Sequence, residues 1–236
     1  PWMLILLPLN VAINLYLAFN GMQDPQNLTA QSLLLVVPLA IASIVAYCSI
    51  AVVWHRYVLL DEVAEGWQRL RIDSLMWRYI GNAILIALIL FAGGFVAVLI
   101  FSFVGWALSS ALGEVSLIVL VPAVVALYAY ALVSAYRFAV KLPSVALGRN
   151  DFFMRDAWQA TAGNFWQILG LVLLFFICLI LVGLAMLLLT YLIGQLGTLG
   201  LSVLLAIQVA VNWVATILGV TLLTSLYGFF VEGREF

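Results

Sequence analysis

The sequence predicts an all-α polytopic membrane protein with six transmembrane helices, on the evidence of its composition, its apolar segments and the placement of its charges. Of its 236 residues, 67% are hydrophobic and 8% are charged, and the mean hydropathy is +1.24. A water-soluble fold of this length could not bury so much apolar surface. The net charge is -1, so no global field favours a nucleic-acid partner. We therefore expect residues 1–236 to form a single transmembrane domain.

Six apolar segments are long enough to cross the hydrocarbon layer, which takes roughly 20 residues of helix. These segments are 2–19, 33–60, 79–108, 115–139, 165–193 and 199–231. The connections after the first, third and fifth segments are rich in turn-forming residues and contain no Lys or Arg. The connections after the second and fourth segments carry most of the charge. This alternation indicates that successive helices cross the membrane in opposite directions.

All nine basic residues fall on one side of a six-helix threading, whereas only Asp24 and Glu114 are charged on the other side. The basic residues are Arg56, Arg69, Arg71, Arg78, Arg137, Lys141, Arg149, Arg155 and Arg234. Lys and Arg in short loops stay on the cytoplasmic side. The pattern therefore predicts a multi-pass protein of the bacterial inner membrane, with both ends of the six-helix unit in the cytoplasm.

Two cytoplasmic segments, 61–78 and 151–163, have the apolar spacing of short amphipathic helices. The Asn150-Asp151 pair is placed to cap the second of them. We expect both helices to lie in the headgroup layer, either as anchors or as docking surfaces for a lipid or a partner. The expected aromatic anchors at this interface are Trp54, Trp67, Trp77 and Trp158.

The two charged connections and their flanking helices resemble each other, which indicates an internal repeat. In each copy an aromatic-rich helix end is followed by an arginine, Arg56 or Arg137, and later by a Trp shortly before Asn82 or Asn164. The period of about 82 residues predicts parallel two-helix repeats. A third copy starting at Phe165 would place another cytoplasmic amphipathic segment ahead of Pro1.

The predicted spans contain no residues suited to catalysis. The chain has one histidine, and no Asp, Glu or Lys lies near the middle of a span. No metal-binding or nucleotide-binding motif is present. Cys48 and Cys178 lie inside apolar runs, so we expect free thiols rather than a disulfide or a thiolate metal site. We therefore expect a protein that is not an enzyme and that binds neither metal nor cofactor.

Amide and hydroxyl side chains form two polar stripes within the spans. Asn10 and Asn14 lie four residues apart on the first predicted helix, and Gln208, Asn212 and Thr216 follow at four-residue steps on the last. Hydrogen bonds between these two helices would explain the stripes. A polar-lined cavity between the same helices would explain them equally.

Arg56 and Arg137 are the candidate residues for binding a lipid or anionic headgroup, together with their neighbours His55 and Tyr136. Both arginines lie at the inner ends of predicted helices. Snorkelling of each side chain to lipid phosphate is one explanation. The alternative is that the two arginines converge on the bundle axis and hold one anion between them.

Three motifs carry a resemblance to known proteins: WHRYVLL at 54–60, YRF at 136–138 with the following Leu142-Pro143, and WQATAGN at 158–164. In these the chain resembles a group of six-helix bacterial inner-membrane proteins of alphaproteobacterial type. It is also distantly similar to the membrane domain attached to some glycerophosphodiester phosphodiesterases, whose catalytic domain has no counterpart here. The resemblance implies a multi-pass membrane protein and no particular activity.

These features favour a non-enzymatic accessory, scaffold or assembly component that binds membrane lipids and another integral membrane protein. Such a role needs apolar surface, small-residue contacts and aromatic anchors. The alternative is a transporter or channel for a lipid or small amphiphile, which would use the polar stripes and the two arginines.

Overall fold

The computed structural model describes residues 2–20, 30–66 and 70–234, and it is helical almost throughout, with no strand in those ranges. Some side chains within the first two helices, including those of Asn10 and Asn14, lie outside the described residues, as does Trp67. The helices are α1 (Trp2–Phe19), α2 (Ala30–Leu60), α3 (Ser74–Leu112), α4 (Leu117–Ala139), α5 (Lys141–Ala146), α6 (Met154–Ala160), α7 (Phe165–Ile193) and α8 (Gly197–Phe230).

Three continuous helical stretches are long and apolar enough to cross a membrane, and they make this a membrane protein. They are Leu33–Leu60, Ser74–Ala146 and Phe165–Phe230. The second stretch contains a 3-10 turn at Gly113–Ser116 and the third contains one at Gly194–Leu196. A positive φ occurs beside each turn, +57° at Gly113 and +65° at Gly197, a conformation that glycine adopts without strain.

The chain reverses direction at each of these turns and forms two helical hairpins. In the first hairpin the Ser109 and Ser116 hydroxyls are 3.2 Å apart, and Leu120 packs beside Gly105. In the second, Phe175 packs beside Gly219. We call the end of the molecule that holds these two turns the turn end, and the opposite end, where α2 and α8 finish and α3 and α7 begin, the charged end.

The long helices form a ring in the order α2, α3, α4, α7 and α8, with α1 packed against α2 and α8. The short helix α5 contacts α2, α3 and α8 at the charged end. All of its residues after Lys141 are buried. The helix α5 therefore fills the centre of the ring at that end, and it was not predicted from the sequence.

The core is confined largely to the charged end. The buried residues of α3 are Met76, Tyr79 and Ile86, and none follows as far as Leu112. In α4 the buried residues are Val133 and Ser134, near its end, whereas in α7 they lie near its start, at Ile168, Leu169 and Val172. The rest of these three helices exposes large apolar side chains, which in a bilayer face lipid or other proteins.

The helix expected over 61–78 does not occur as a separate element in the described parts of that segment. No α-helix occurs in 61–66 or 70–73, and the residues from Ser74 onward already belong to α3. Asp73 caps that helix by accepting a hydrogen bond from the Met76 amide at 3.0 Å. Asp61 and Gly66 have positive φ values, 53° and 51°. A right-handed α-helix cannot continue through these two residues, whatever the apolar spacing of the segment.

The segment 151–163 contains a helix, α6, but the predicted cap is wrong. The helix begins at Met154, and the Phe153 amide donates to the Asp156 carboxylate at 2.7 Å. Asn150 instead accepts a hydrogen bond from Arg78, which joins the start of α3 to the segment before α6.

The internal repeat stays a prediction. The two matched asparagines occupy different positions, because Asn82 lies inside α3 and donates to the Arg78 carbonyl, whereas Asn164 immediately precedes α7.

Candidate functional site

Arg56 is held in an ion pair at the end of α2. Its guanidinium donates from Nε to Glu62 Oε2 at 2.7 Å, and Nη2 contacts the same oxygen. Nη1 donates to the Ala146 carbonyl of α5 at 3.2 Å. The hydrogen bond from Arg56 lowers the pKa of the Glu62 carboxyl. The charge of Arg56 is therefore neutralised within the protein.

A second arginine extends this ion-pair network toward α3. Arg71 donates to Glu62 Oε1 at 3.3 Å and to Asp73 Oδ2 at 2.6 Å. Partial burial raises the pKa of Asp73, but hydrogen bonds from Arg71 and from the Met76 amide outweigh that effect and lower it. The network joins the residues that follow α2 to those that precede α3.

Arg137 has a different environment at the end of α4. Its Nε donates to Thr161 Oγ1 at 2.9 Å and its Nη2 to the Trp158 carbonyl at 2.6 Å. The guanidinium carbon lies 3.6 Å from the centroid of the Trp158 ring, a cation–π contact. No carboxylate in the described part of the chain forms an ion pair with Arg137. Its positive charge is balanced only by neutral acceptors and an aromatic face.

The two arginines therefore do not form a symmetric pair. Arg56 binds the connection after α2 and the end of α5, whereas Arg137 binds α6 and the turn that follows it. They share no partner among the residues that the structure describes. Of the two, only Arg137 keeps a charge that an added anion could neutralise.

His55 lies in the core instead of at the headgroup layer. It is fully buried, with Nδ1 2.7 Å from Thr224 Oγ1 and Nε2 3.3 Å from the Tyr79 hydroxyl. Thr224 uses its one hydroxyl proton to donate to the Val220 carbonyl at 2.7 Å. Because a hydroxyl has a single proton, Nδ1 must be the donor to Thr224, and Nε2 then accepts from Tyr79. His55 thus links α2, α3 and α8, and in this position it does not reach a headgroup.

Tyr136 and the tryptophan anchors have varied placements. Tyr136 is half-buried and packs against the core. Trp77 is exposed, whereas Trp54 is half-buried and its Nε1 has no partner within the described residues. Trp158 is half-buried and its ring lies 4.9 Å from that of Phe138.

An apolar groove of about 570 Å³ runs between α3 and α4, and we call it the α3–α4 groove. Small residues of α3, Gly93, Gly94 and Ala97, line one wall. Ser134 of α4 lines the other, and at the charged end the groove reaches Phe138 and Trp158. Trp158 therefore connects the groove to Arg137, whose guanidinium packs on its ring.

Ser134 is the polar feature of the α3–α4 groove that sequence analysis missed. Its side chain is 7% exposed, and its hydroxyl has no hydrogen-bond partner in the ranges that the structure describes. Buried hydroxyls are nearly always paired. A small polar residue on an otherwise apolar helix face was the signal in the sequence, but such residues usually bond to their own helix.

A second groove, of about 780 Å³, lies between α7 and α8 and contains Gln208 and Asn212. Both side chains are exposed in the groove, and neither amide forms a hydrogen bond with the residues described. Thr216 instead donates to the Asn212 carbonyl at 2.8 Å. The cavity predicted between the first and last helices involves Asn10 and Asn14, whose side chains lie outside the described residues, and it stays a prediction. On the face of α8 toward α2, the Trp213 ring packs with its centroid 5.0 Å from that of Tyr47.

Cys48 is half-buried and Cys178 is exposed, and both are free thiols. The part of the chain that the structure describes contains no cluster of three His, Cys, Asp or Glu side chains that could hold a metal ion. No protein-family model, curated protein or solved structure matches this chain.

Proposed function

We propose that this chain is a non-enzymatic, six-span protein of the bacterial inner membrane that acts as an accessory or scaffold component and binds both lipid and another integral membrane protein. The observation that carries the proposal is the exposed apolar surface of α3, which no other part of the described chain covers. From 87 to 112 this helix has no buried side chain, and Phe91 and Phe95 are 73% and 57% exposed. A helix this apolar contacts lipid on every face that no protein covers.

The contacts at the charged end support six spans with one orientation. Arg78 reaches Asn150, Arg56 reaches the Ala146 carbonyl, and Arg234 donates to the Leu59 carbonyl at 2.8 Å. These bonds gather the basic connections and the end of α8 at the same end of the molecule. By the positive-inside rule that end faces the cytoplasm.

A scaffold role is favoured over an enzymatic one by the distribution of polar chemistry. The carboxylates Glu62 and Asp73 are engaged by arginines. The fully buried imidazole of His55 has both nitrogens in hydrogen bonds. The exposed apolar face of α3 remains available to a partner. The resemblance to six-helix inner-membrane proteins is in keeping with this reading.

Purification from the native membrane in a mild detergent, followed by identification of the bound proteins and lipids, tests the scaffold proposal. We expect a partner protein at a fixed ratio. The double variant Phe91→Ala/Phe95→Ala should release the partner, because these two exposed rings are free to contact it. Within the chain they stack on each other, with centroids 6.5 Å apart. The matched control is Leu187→Ala/Leu188→Ala on the exposed face of α7. Purification of a monomer without any protein partner would refute the scaffold role.

The second candidate function is transport of a lipid or small amphiphile, and the α7–α8 groove favours it. Two amides without partners at membrane depth are unfavourable in hydrocarbon, so water or a polar ligand is expected beside them. Transfer of a fluorescent lipid between the leaflets of reconstituted vesicles tests this. Gln208→Leu/Asn212→Leu should abolish transfer, whereas Thr216→Val, which removes a hydroxyl bonded within its own helix, should not.

A further inference from the structure

We propose that the α3–α4 groove binds one acyl chain of an anionic glycerophospholipid, with the ester group at Ser134 and the phosphate at Arg137. This inference rests on the proposed lipid binding, and it specifies the lipid class and the binding site. It is carried by three independent features of the groove: its shape, an unpaired hydroxyl and an unpaired charge.

The shape of the groove suits a single hydrocarbon chain. Its volume of about 570 Å³ lies within the range of roughly 300–1,000 Å³ that is usual for small-ligand sites. A Cβ atom added at Gly93 or Gly94 would meet nothing within 4 Å. The small residues of α3 therefore do not bring α4 into close contact at this level, as they would in a tightly packed helix pair. They leave a channel that is open to lipid.

Ser134 supplies a polar group that the protein does not satisfy. Other hydroxyls in the long helices donate to the carbonyl four residues earlier, at 2.8 to 2.9 Å, namely Ser110, Thr190, Ser202, Thr216 and Thr221. Ser134 has no such bond, and the residue lines the groove with its hydroxyl oxygen shielded from solvent, so a rotation of the side chain would turn it toward a ligand. An ester carbonyl of a bound lipid would accept its proton, which removes the penalty of burying an unpaired hydroxyl.

Arg137 supplies the charge for the headgroup. It lies three residues after Ser134 on α4, a rise of about 4.5 Å along the helix toward the charged end. In a glycerophospholipid the phosphate likewise lies just beyond the ester groups. Arg56 cannot substitute, because Glu62 already neutralises it. The combination of an arginine without a carboxylate and the Trp158 ring matches the interfacial level of the bilayer, where phosphate and aromatic side chains meet.

The experiment measures lipid retention by the full-length protein. Detergent-purified and delipidated protein is equilibrated with vesicles of equal parts dioleoyl phosphatidylglycerol and dioleoyl phosphatidylcholine, and the retained lipid is counted by native mass spectrometry. We expect the wild type to retain the anionic lipid over the zwitterionic one by roughly tenfold, because both lipids carry a phosphate but the choline cation of phosphatidylcholine repels the Arg137 charge. Equal retention of the two lipids by the wild type would overturn the proposal.

Substitutions then locate the site. Gly94→Leu fills the groove and should abolish retention of the anionic lipid. Gly183→Leu, a matched change that instead fills the groove between α7 and α8, should leave retention at the wild-type level. Arg137→Gln should remove the preference between the two lipids, and Arg137→Lys, which keeps the charge, should preserve it. Anionic lipid retained by Gly94→Leu at the wild-type level would place the site elsewhere and refute the proposal.

A photoreactive group on the acyl chain of phosphatidylglycerol gives a readout that is independent of variant folding. The expected labelled peptides are those containing 93–102 and 124–138. Labelling confined to α7 and α8 would refute the site. The failure of this inference differs from the failure of the scaffold proposal, because the first is a loss of groove-specific lipid binding and the second is the absence of a protein partner.

Discussion

At the charged end, α5 is buried along all but its first residue and His55 ties three helices together, whereas at the turn end α3 runs from 87 to 112 without one buried side chain. The same helices pass through both ends. The difference follows from the solvent: lipid solvates apolar side chains as well as a protein core does, so the spans need no dense packing within the hydrocarbon. Tertiary order is concentrated where the chain carries polar groups.

The free energy of unfolding and the binding of partners or lipid are therefore expected to depend on different residues. Residues at the charged end hold the helices together through hydrogen bonds and close packing. The exposed faces and grooves toward the turn end can change their occupants at little cost to folding. Substitutions of buried residues at the charged end should therefore alter the free energy of unfolding, while those of residues that line the grooves or the exposed faces should alter binding.

The largest expected effect is that of His55→Ala. This change creates a cavity in the core and removes the acceptor for the Tyr79 hydroxyl, which is itself buried. We expect the free energy of unfolding to fall by about 3 kcal/mol. Helix loss during titration with a denaturing detergent, followed by circular dichroism, measures it. Trp77→Ala is the control, because this ring is exposed at the same end of the molecule; equal losses for the two variants would show that the buried position of His55 adds no stability.

A matched pair of alanines gives the next largest effect. Ala146 of α5 is fully buried, whereas Ala87 of α3 is exposed. Ala146→Leu overpacks the centre of the ring and should lower the free energy of unfolding by about 2 kcal/mol. Ala87→Leu should leave it within about 0.5 kcal/mol, since the added side chain meets lipid. The same denaturation experiment compares them, and a large loss for Ala87→Leu would show that the α3 surface is packed against protein.

The fold and the site were predictable from the sequence to different degrees. The apolar segments correspond well to long helices, because hydropathy over about 20 residues is a strong signal. The helix predicted after Leu60 failed because ion pairs and positive φ values at Asp61 and Gly66 override apolar spacing. Local patterns contain no information about partners brought in from distant parts of the chain.

The two arginines show the same limit within the site. Their matching sequence positions suggested matching roles, and the structure gives them different ones. A carboxylate lies six residues after Arg56 and pairs with it. Arg137 is followed by the apolar α5 and finds its partners at Trp158 and Thr161. What decides whether an arginine can accept an anion is the identity of its neighbours in space, which the repeat pattern does not specify.

The smallest expected effect is a pH dependence at the charged end. The pKa of Glu62 is lowered by its hydrogen bond from Arg56, so its ion pairs contribute stability above the ordinary carboxyl pKa of about 4.5, and that contribution is lost as the pH falls below this value. The Glu62 side chain is 41% exposed, and solvent screening limits the contribution to about 0.5 kcal/mol. Glu62→Gln should therefore lower the melting temperature in detergent slightly at pH 7. It should also reduce the decline of the melting temperature between pH 5 and pH 3, because the variant has no carboxyl to protonate at this position.

Glu65→Gln is the control, because Glu65 is exposed and forms none of the ion pairs seen among the described residues. A decline on acidification that is the same in Glu62→Gln as in the wild type would show that the Arg56 pair contributes nothing to folding, and Arg56 would then be as free as Arg137 to bind an anion.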